Sequence, residues 1–314
     1  MRHALGRRRL VGAALAAVWI AACACGAAPA TPLVPRTVAA RAQVPPSVGH
    51  IVLVLMENHD YEQVIGSPDA PYINALASRY ALADNYGLLH PSLPNYLALL
   101  GGDTFGVTTD CTRCFIDAVN LVDALEANGR TWKSYQEDLP RPCFLGSSAR
   151  DYVVRHNPFL YFRDIREDSN RCQQVVPLSQ FSEDLQGGQL PDFAWVTPNL
   201  QHDMHDGSVA QGDQWLAGFL PPILASDAWH QNGLVLVTWD EGQGADACCG
   251  GAVGGHTPLL VVTPDGKAGY HSPHPVTPYG VLRTIEELWG LPYLGRSGEP
   301  AVDSLLDVWP QLDT

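Results

Sequence analysis

Positive charge is scarce in this chain: 19 Lys and Arg face 33 Asp and Glu over 314 residues. Four of the basic residues, Arg2, Arg7, Arg8 and Arg9, cluster at the start; without them 15 oppose 33, a net charge of −18. Such a surface repels polyanions at long range, which excludes nucleic acid as a partner. An anionic substrate would need a metal or a few local cations. Long apolar runs are missing too. Residues 10–22 are apolar, but this run falls short of the ~20 residues that a membrane span requires. No internal repeat is present. No second CxxC or paired histidines accompany Cys111 and Cys114, so a zinc site there lacks its ligands. Charged residues make up 17%, below the usual ~25%. With 46% apolar residues the chain builds a sizeable core and does not resemble a disordered polymer.

A basic segment followed by a short apolar one is the layout of an export signal, assigned here to residues 1–22. It ends in Ile20-Ala21-Ala22-Cys23, which resembles a bacterial lipobox, so lipidation of Cys23 would tether the protein to a membrane. The plainer reading is cleavage near residues 28–30 with no lipid. Residues 23–46, rich in Ala and Pro, read as a flexible tether, and residues 47–314 as the functional domain. The expected location is secreted or in the cell envelope. Six cysteines remain after export, an even number that favours disulfides in an oxidising compartment. The preferred pairs are Cys111 with Cys114 and Cys143 with Cys172. The adjacent Cys248 and Cys249 either form a strained vicinal bridge or stay free.

Residues 50–56 (HIVLVLM) and 233–239 (GLVLVTW) are apolar without alternation, the mark of strands buried on both faces. Shorter strands are predicted at 192–196 and 259–263. Helices are predicted over 69–81, 92–100, 117–128, 209–226 (with Pro221 and Pro222 inside) and 276–289. This alternation predicts one α/β domain with a mostly parallel sheet and helices on both faces. Residues 111–191 are less regular and read as a cysteine-containing insertion.

In such sheets ligands sit beyond the carboxyl ends of the strands. Glu57-Asn58-His59 follows the first buried strand, Asp240-Glu241 follows GLVLVTW, and His256 stands just before the strand at 259–263. Carboxylates leaving buried strands are costly unless they bind something. Oxygen ligands with an imidazole suit Mg, Mn, Ca or Zn. Capping of the next helices is the plainer use of Glu57 and Asp240. A fourth cluster holds His202, Asp203, His205 and Asp206; His205 and Asp206 are favoured as functional, against a plain helix-capping use of Asp206. Ser92, in HPSLPNY, opens a helix where an anion is favoured, and a metal there would activate its hydroxyl. Asn95 is placed to donate to a phosphate oxygen. Taken alone, Ser92 reads as an ordinary cap.

The segments MENHDYEQVIGSPDAPYINALA, HPSLPNYLAL, HDMHDGSVAQGDQWL, LVLVTWDEG and GVLRTIEELWGLP together resemble the bacterial phosphoesterase family of secreted acid phosphatases and phospholipases C, in the alkaline-phosphatase superfamily. The likeness runs from about residue 50 to 294 and is nearest to the short mycobacterial type. It implies that Ser92 is the phosphate-accepting nucleophile and also a metal ligand. By the same likeness Glu57, Asn58, Asp240 and Glu241 hold a divalent metal, and His205, Asp206 and His256 are site positions. The implied activity is acid hydrolysis of phosphate monoesters, on a small-molecule or lipid substrate that includes phosphatidylinositol 3-phosphate. Two departures stand out. Pro278 occupies a position where many relatives carry histidine, and His202 falls where short relatives can carry asparagine. Two rival readings are a phospholipase C-type phosphodiesterase and a non-catalytic metal- or phosphate-binding lipoprotein. A sulfatase is excluded because Tyr96 follows Ser92-Leu-Pro-Asn, where that motif needs arginine.

Overall fold

Two runs with no polar face, IVLVLM and LVLVTW, become neighbouring central strands. The computed structural model describes residues 46–310. The expected export signal, Cys23 and the tether up to residue 45 lie outside the described residues. Strand β1 (Ile51–Met56) pairs in parallel with β8 (Leu234–Trp239) on one side and with β7 (Phe193–Thr197) on the other. The sheet is completed by β2 (Ala81–Tyr86), β3 (Trp132–Gln136), β6 (Val175–Pro177), β9 (His256–Val262) and β10 (Tyr270–His271). Its order is β10-β2-β9-β8-β1-β7-β3-β6. Only β9 runs against its neighbours. A two-stranded hairpin, β4 (Ser148–Ala149) with β5 (Tyr152–Val153), stands apart.

Both faces of β1 are covered. Ile51, Leu53 and Leu55 pack with residues of the helices Leu93–Gly101, Leu121–Ala127 and Pro278–Trp289. Val52, Val54 and Met56 pack with the helices Pro71–Arg79, Ser179–Gln186 and Val209–Leu224. Each such buried aliphatic side chain contributes about 1.5–3 kcal/mol. The strand therefore shows no alternation because it has no wet side.

Three expectations are corrected. The helix expected over 69–81 stops at Arg79, and the next residues form β2, whose Asp84 and Asn85 interrupt the apolar pattern that would have revealed it. The helix expected from residue 117 begins at Leu121, because the Asn120 side chain accepts from the Val122 N–H and fixes the start there. Residues 111–191 do not lie wholly beside the sheet, since β3 and β6 join its edge. The disulfides Cys111–Cys114 and Cys143–Cys172 are present, which removes the zinc alternative. Cys248 and Cys249 are free. Among the described residues no helix is long and apolar enough to cross a membrane.

Candidate active site

Met56 of β1 is paired with Trp239 of β8, so Glu57 and Asp240 leave the sheet side by side. Both are buried. The chain turns sharply after Glu57 because Asn58 takes a left-handed conformation (φ 49°). That turn aims the Asn58 N–H at Asp240 Oδ1, 3.4 Å away. The Asn58 side-chain amide donates to Glu57 Oε2 at 3.3 Å.

Ser92 precedes the helix Leu93–Gly101 but does not cap it with its side chain. Asp110 takes that duty, accepting from the Leu93 N–H at 3.0 Å. The Ser92 hydroxyl is thereby free to donate to Glu57 Oε2 at 3.1 Å, and it lies within hydrogen-bond reach of Asp240 and Glu241 as well. Four residues on, and so on the same helix face, Tyr96 donates to Glu57 Oε1. Its ring stacks on His156, with centroids 5.3 Å apart. The plainer capping uses of Glu57, Asp240 and Asp206 fail as well: Asp60 caps the turn after Glu57, Asp240 faces Asn58 and Ser92, and Ser208 caps the helix that follows Asp206.

Around this point negative charge exceeds positive. Glu57, Asp203, Asp240 and Glu241 are all at most 4% exposed. Burial first, then the mutual repulsion with Asp240 and Asp203, pushes the Glu57 carboxyl well above its usual range. Asp203 is raised well above normal by burial, against a backbone hydrogen bond from His205. Burial lifts Asp240 to about 7 and Glu241, with repulsion from Asp240, to about 10. His156 is held well below its usual value by burial, then by Arg155 and His205, so its ring is neutral. His156 Nε2 lies 3.2 Å from Glu57 Oε1 and Nδ1 3.4 Å from Asp203 Oδ2, with no hydrogen bond aligned between them. Asp203 Oδ2, Asp240 Oδ2 and His156 Nε2 are buried and have no hydrogen-bond partner. Such orphans are rare in native interiors. Hard oxygen donors with neutral imidazole nitrogens are the set that a divalent cation takes, so the residues fit one. Glu57, His156 and His205 alone offer ligand atoms all within 4.8 Å of one another.

His205 sits on the rim of this centre. Its N–H donates to Asp203 Oδ1 at 2.7 Å, and its Nδ1 lies 2.7 Å from Asp206 Oδ1. Arg155 donates to His205 Nε2 at 3.2 Å and pairs with Asp110 at 3.4 Å. That network assigns the ring proton to Nδ1. Glu241 is met by His90 Nδ1 at 3.0 Å.

His256 stands in a second group at the same end of the sheet. Because β9 is antiparallel, its first residue emerges where β8 ends. His256 is sandwiched between the rings of Tyr61 and Tyr86, with centroids 4.6 and 4.7 Å away. Its Nε2 is 2.9 Å from Asp84 Oδ1, which His271 Nε2 approaches to 3.3 Å. Glu62 lies 3.8 Å from His256 Nδ1.

Ser92, Glu57, Asn58, Asp240 and Glu241 are therefore brought together, with His205 beside them. Asn95 is placed otherwise than expected: its Oδ1 accepts from the Leu88 and Leu89 N–H groups and its Nδ2 donates to the Leu89 carbonyl. It is buried and holds the loop before Ser92 instead of offering itself to a ligand. Asp206 is half exposed and meets the centre only through His205, whereas Asp203, passed over in the sequence, is fully buried. His202 is engaged with Glu137 at 2.9 Å, away from the centre. His156, Tyr96 and Arg155 were not legible as site residues. The only signal for His156 is a lone imidazole amid the apolar residues 152–162.

The family model described as "Phosphoesterase family" matches residues 67–292. The chain belongs to the phosphoesterase family. It is 34% identical over 266 residues to the phosphatidylinositol-3-phosphatase of Mycobacterium tuberculosis, covering 84% of each chain. It is 33% identical to an acid phosphatase of Aspergillus fumigatus, matching 77% of this chain and 55% of that longer protein. The chain thus spans little more than half the length of that fungal relative. Among solved structures, an alkaline phosphatase superfamily protein from Vibrio parahaemolyticus superposes with a TM-score of 0.55 at 14% identity, covering 82% of this chain and 71% of the other. That likeness concerns the fold, and it agrees with the mostly parallel sheet described above. Glu57 and Asn58 precede the segment matched by the family model, so their place in the site rests on the strand pairing of β1 with β8.

Proposed function

We propose that the protein is a metal-dependent hydrolase of phosphate monoesters that works through a phosphoserine at Ser92. The observation that carries this reading is the Ser92 hydroxyl, relieved of capping by Asp110 and directed at Glu57 inside a ring of buried carboxylates. The names of its relatives, an acid phosphatase and a phosphatidylinositol-3-phosphatase, support the substrate class. Phosphatidylinositol 3-phosphate and small soluble monoesters are the proposed substrates, with an acidic optimum. The same reading gives residues 1–22 to export, 23–46 to a tether, with Cys23 as the site of a membrane anchor, and 47–314 to the catalytic domain.

Glu57, Asn58, Ser92, Asp240 and Glu241 would hold a divalent cation (Mg, Mn, Ca or Zn), with His156 as a further donor. The cation supplies positive charge that favours the serine alkoxide and the crowded phosphate oxygens. Glu57 Oε2 orients the hydroxyl by accepting its hydrogen bond. Ser92 Oγ attacks phosphorus in line as its proton passes to Glu57 Oε2, the new Oγ–P bond forms, and the ester P–O bond breaks; the proton returns to Oγ when water releases phosphate. His205, positioned by Asp206 through Nδ1, carries the proton at Nε2: as imidazolium it protonates the departing alkoxide, and as imidazole it takes a proton from the water that releases phosphate. Arg155 lies beside that nitrogen as a donor to the phosphate oxygens.

The test is Ser92→Ala in metal-supplemented protein. Turnover of p-nitrophenyl phosphate should fall by roughly 10³-fold or more, the scale of removing a covalent nucleophile. Near-normal turnover would overturn the mechanism. Comparison with bis(p-nitrophenyl) phosphate separates the monoesterase from the phosphodiesterase reading.

A further inference from the structure

A cavity of about 500 Å³ opens beside the Cys111–Cys114 bridge, with Arg113, Phe115, Ser147, Tyr161 and Arg166 in its wall. Its charge runs against that of the chain. Most arginines among the described residues meet a carboxylate: Arg130, Arg150, Arg155, Arg163, Arg171, Arg283 and Arg296 do so. Arg113 and Arg166 have no carboxylate within ion-pair distance among the described residues, although acids outnumber bases 33 to 19. Arg166 lies over the Phe115 ring, 4.4 Å from its centroid, and donates weakly to the Leu160 carbonyl at 3.4 Å.

A second observation points to a ligand. Tyr161 is 1% exposed, yet its hydroxyl has no hydrogen-bond partner. Buried hydroxyls without partners are uncommon, and Tyr161 lines a cavity whose other polar residues are Arg113, Arg166, Thr112 and Ser147. The cavity is also near the centre already described. Val154 in its wall adjoins Arg155, and Thr112, also in its wall, stands two residues from Asp110. Asp110 holds the Leu93 N–H beside Ser92, and Arg155 touches His205.

We propose that this cavity is an anion subsite that receives a second phosphate of a substrate whose scissile phosphate lies at Ser92. The inference deepens the reading above and rests on it for the position of the scissile group. Two guanidinium forks and a phenol donor match the oxygens of a phosphate dianion. Phe115 and Leu145 line the carbon part of such a molecule.

The experiment uses the full chain with metal and p-nitrophenyl phosphate as reporter. Inhibition constants are measured for alkylphosphonates and for α,ω-alkanediyl bisphosphonates of increasing length. At one length the bisphosphonate should compete about 10- to 100-fold better than its monophosphonate, the scale of one or two charge-assisted hydrogen bonds. That ratio should shrink about tenfold in Arg113→Gln, whose side chain is exposed, and in Tyr161→Phe, which keeps its shape. The ratio is read within each variant, so a general loss of activity does not enter it. Equal competition at every length, or a ratio untouched by both substitutions, overturns the subsite. If the wild-type protein turns over no phosphate ester, the proposed function fails instead. Calorimetric titration with the bisphosphonates then decides the subsite alone: binding weakened by Arg113→Gln sustains it, and absence of binding removes it.

Discussion

Two imidazole groups stand at the same end of the sheet, one around Glu57 and one around Asp84, and they differ in whether they are complete. Around Glu57 four acids are buried, the neighbouring His156 is neutral, and several polar atoms lack partners. Around Asp84 each group has its match. His256 is stacked between two tyrosines and bonded to the carboxylate, and His271 reaches the same oxygen while half exposed. The first arrangement is stable only with positive charge brought from outside or with protons retained on its acids. The second holds its own geometry and leaves water access. The lesson is that catalytic potential follows the unsatisfied group, and positioning follows the satisfied one.

The comparison breaks most readily at Glu57. Glu57→Gln removes the negative charge and leaves one acceptor where two served Ser92 and Tyr96, and phosphatase turnover should fall by about 10³-fold with loss of metal binding; retained metal affinity would show that Glu57 is not a ligand. A smaller effect is expected in metal-free protein as pH changes. Asp240 and Glu241 have carboxyls raised above their unfolded values, so the folded state binds protons more tightly. Stability is then full below pH ~4 and is lost as pH rises, through about 7 for Asp240 and on toward about 10 for Glu241. For Asp240 alone this amounts to a loss on the order of 4 kcal/mol, or a Tm about 10 °C lower at pH 8 than at pH 4. Added divalent metal should reverse the trend, and calorimetry of chelated and metal-loaded protein checks it. A chelated protein that is more stable at pH 8 would contradict the buried-acid account. The smallest effect belongs to Asp84→Asn. His256 loses its anionic partner while the Glu57 centre is untouched, so kcat should drop by only about tenfold. A loss as large as that of Glu57→Gln would place the two groups in one machinery.

The residues at strand ends were readable because burial on both faces leaves an uninterrupted apolar run, and whatever polar group follows it stands out. That logic singled out Glu57 and Asp240, whereas Ser92 was singled out by the helix it opens and by the family resemblance. It failed where the local pattern is mixed. β2 carries Asp84 and Asn85 inside a strand, since one pairs with histidines and the other holds the Trp239 carbonyl and the Thr257 hydroxyl. The direction of β9 is a property of the connection, not of its residues. Asp206 was preferred to Asp203 because a sequence does not reveal which of two nearby acids points inward. Left-handed Met204 (φ 80°) lies between Asp203 and the His205–Asp206 pair and separates the buried acid from the exposed one. His156 and Arg155 come from an irregular turn whose course is set by packing rather than by periodicity.

The order of strands in the sheet carries a consequence for timing. β1 is flanked by β7 and β8, so Glu57 meets Asp240 only after some 180 further residues have been added and docked. A nascent or partly threaded chain that ends before residue 240 holds Ser92, the proposed nucleophile, but not Asp240 and Glu241 opposite it. On the proposed mechanism, reactivity toward phosphate esters would begin only when β8 docks against the first strand.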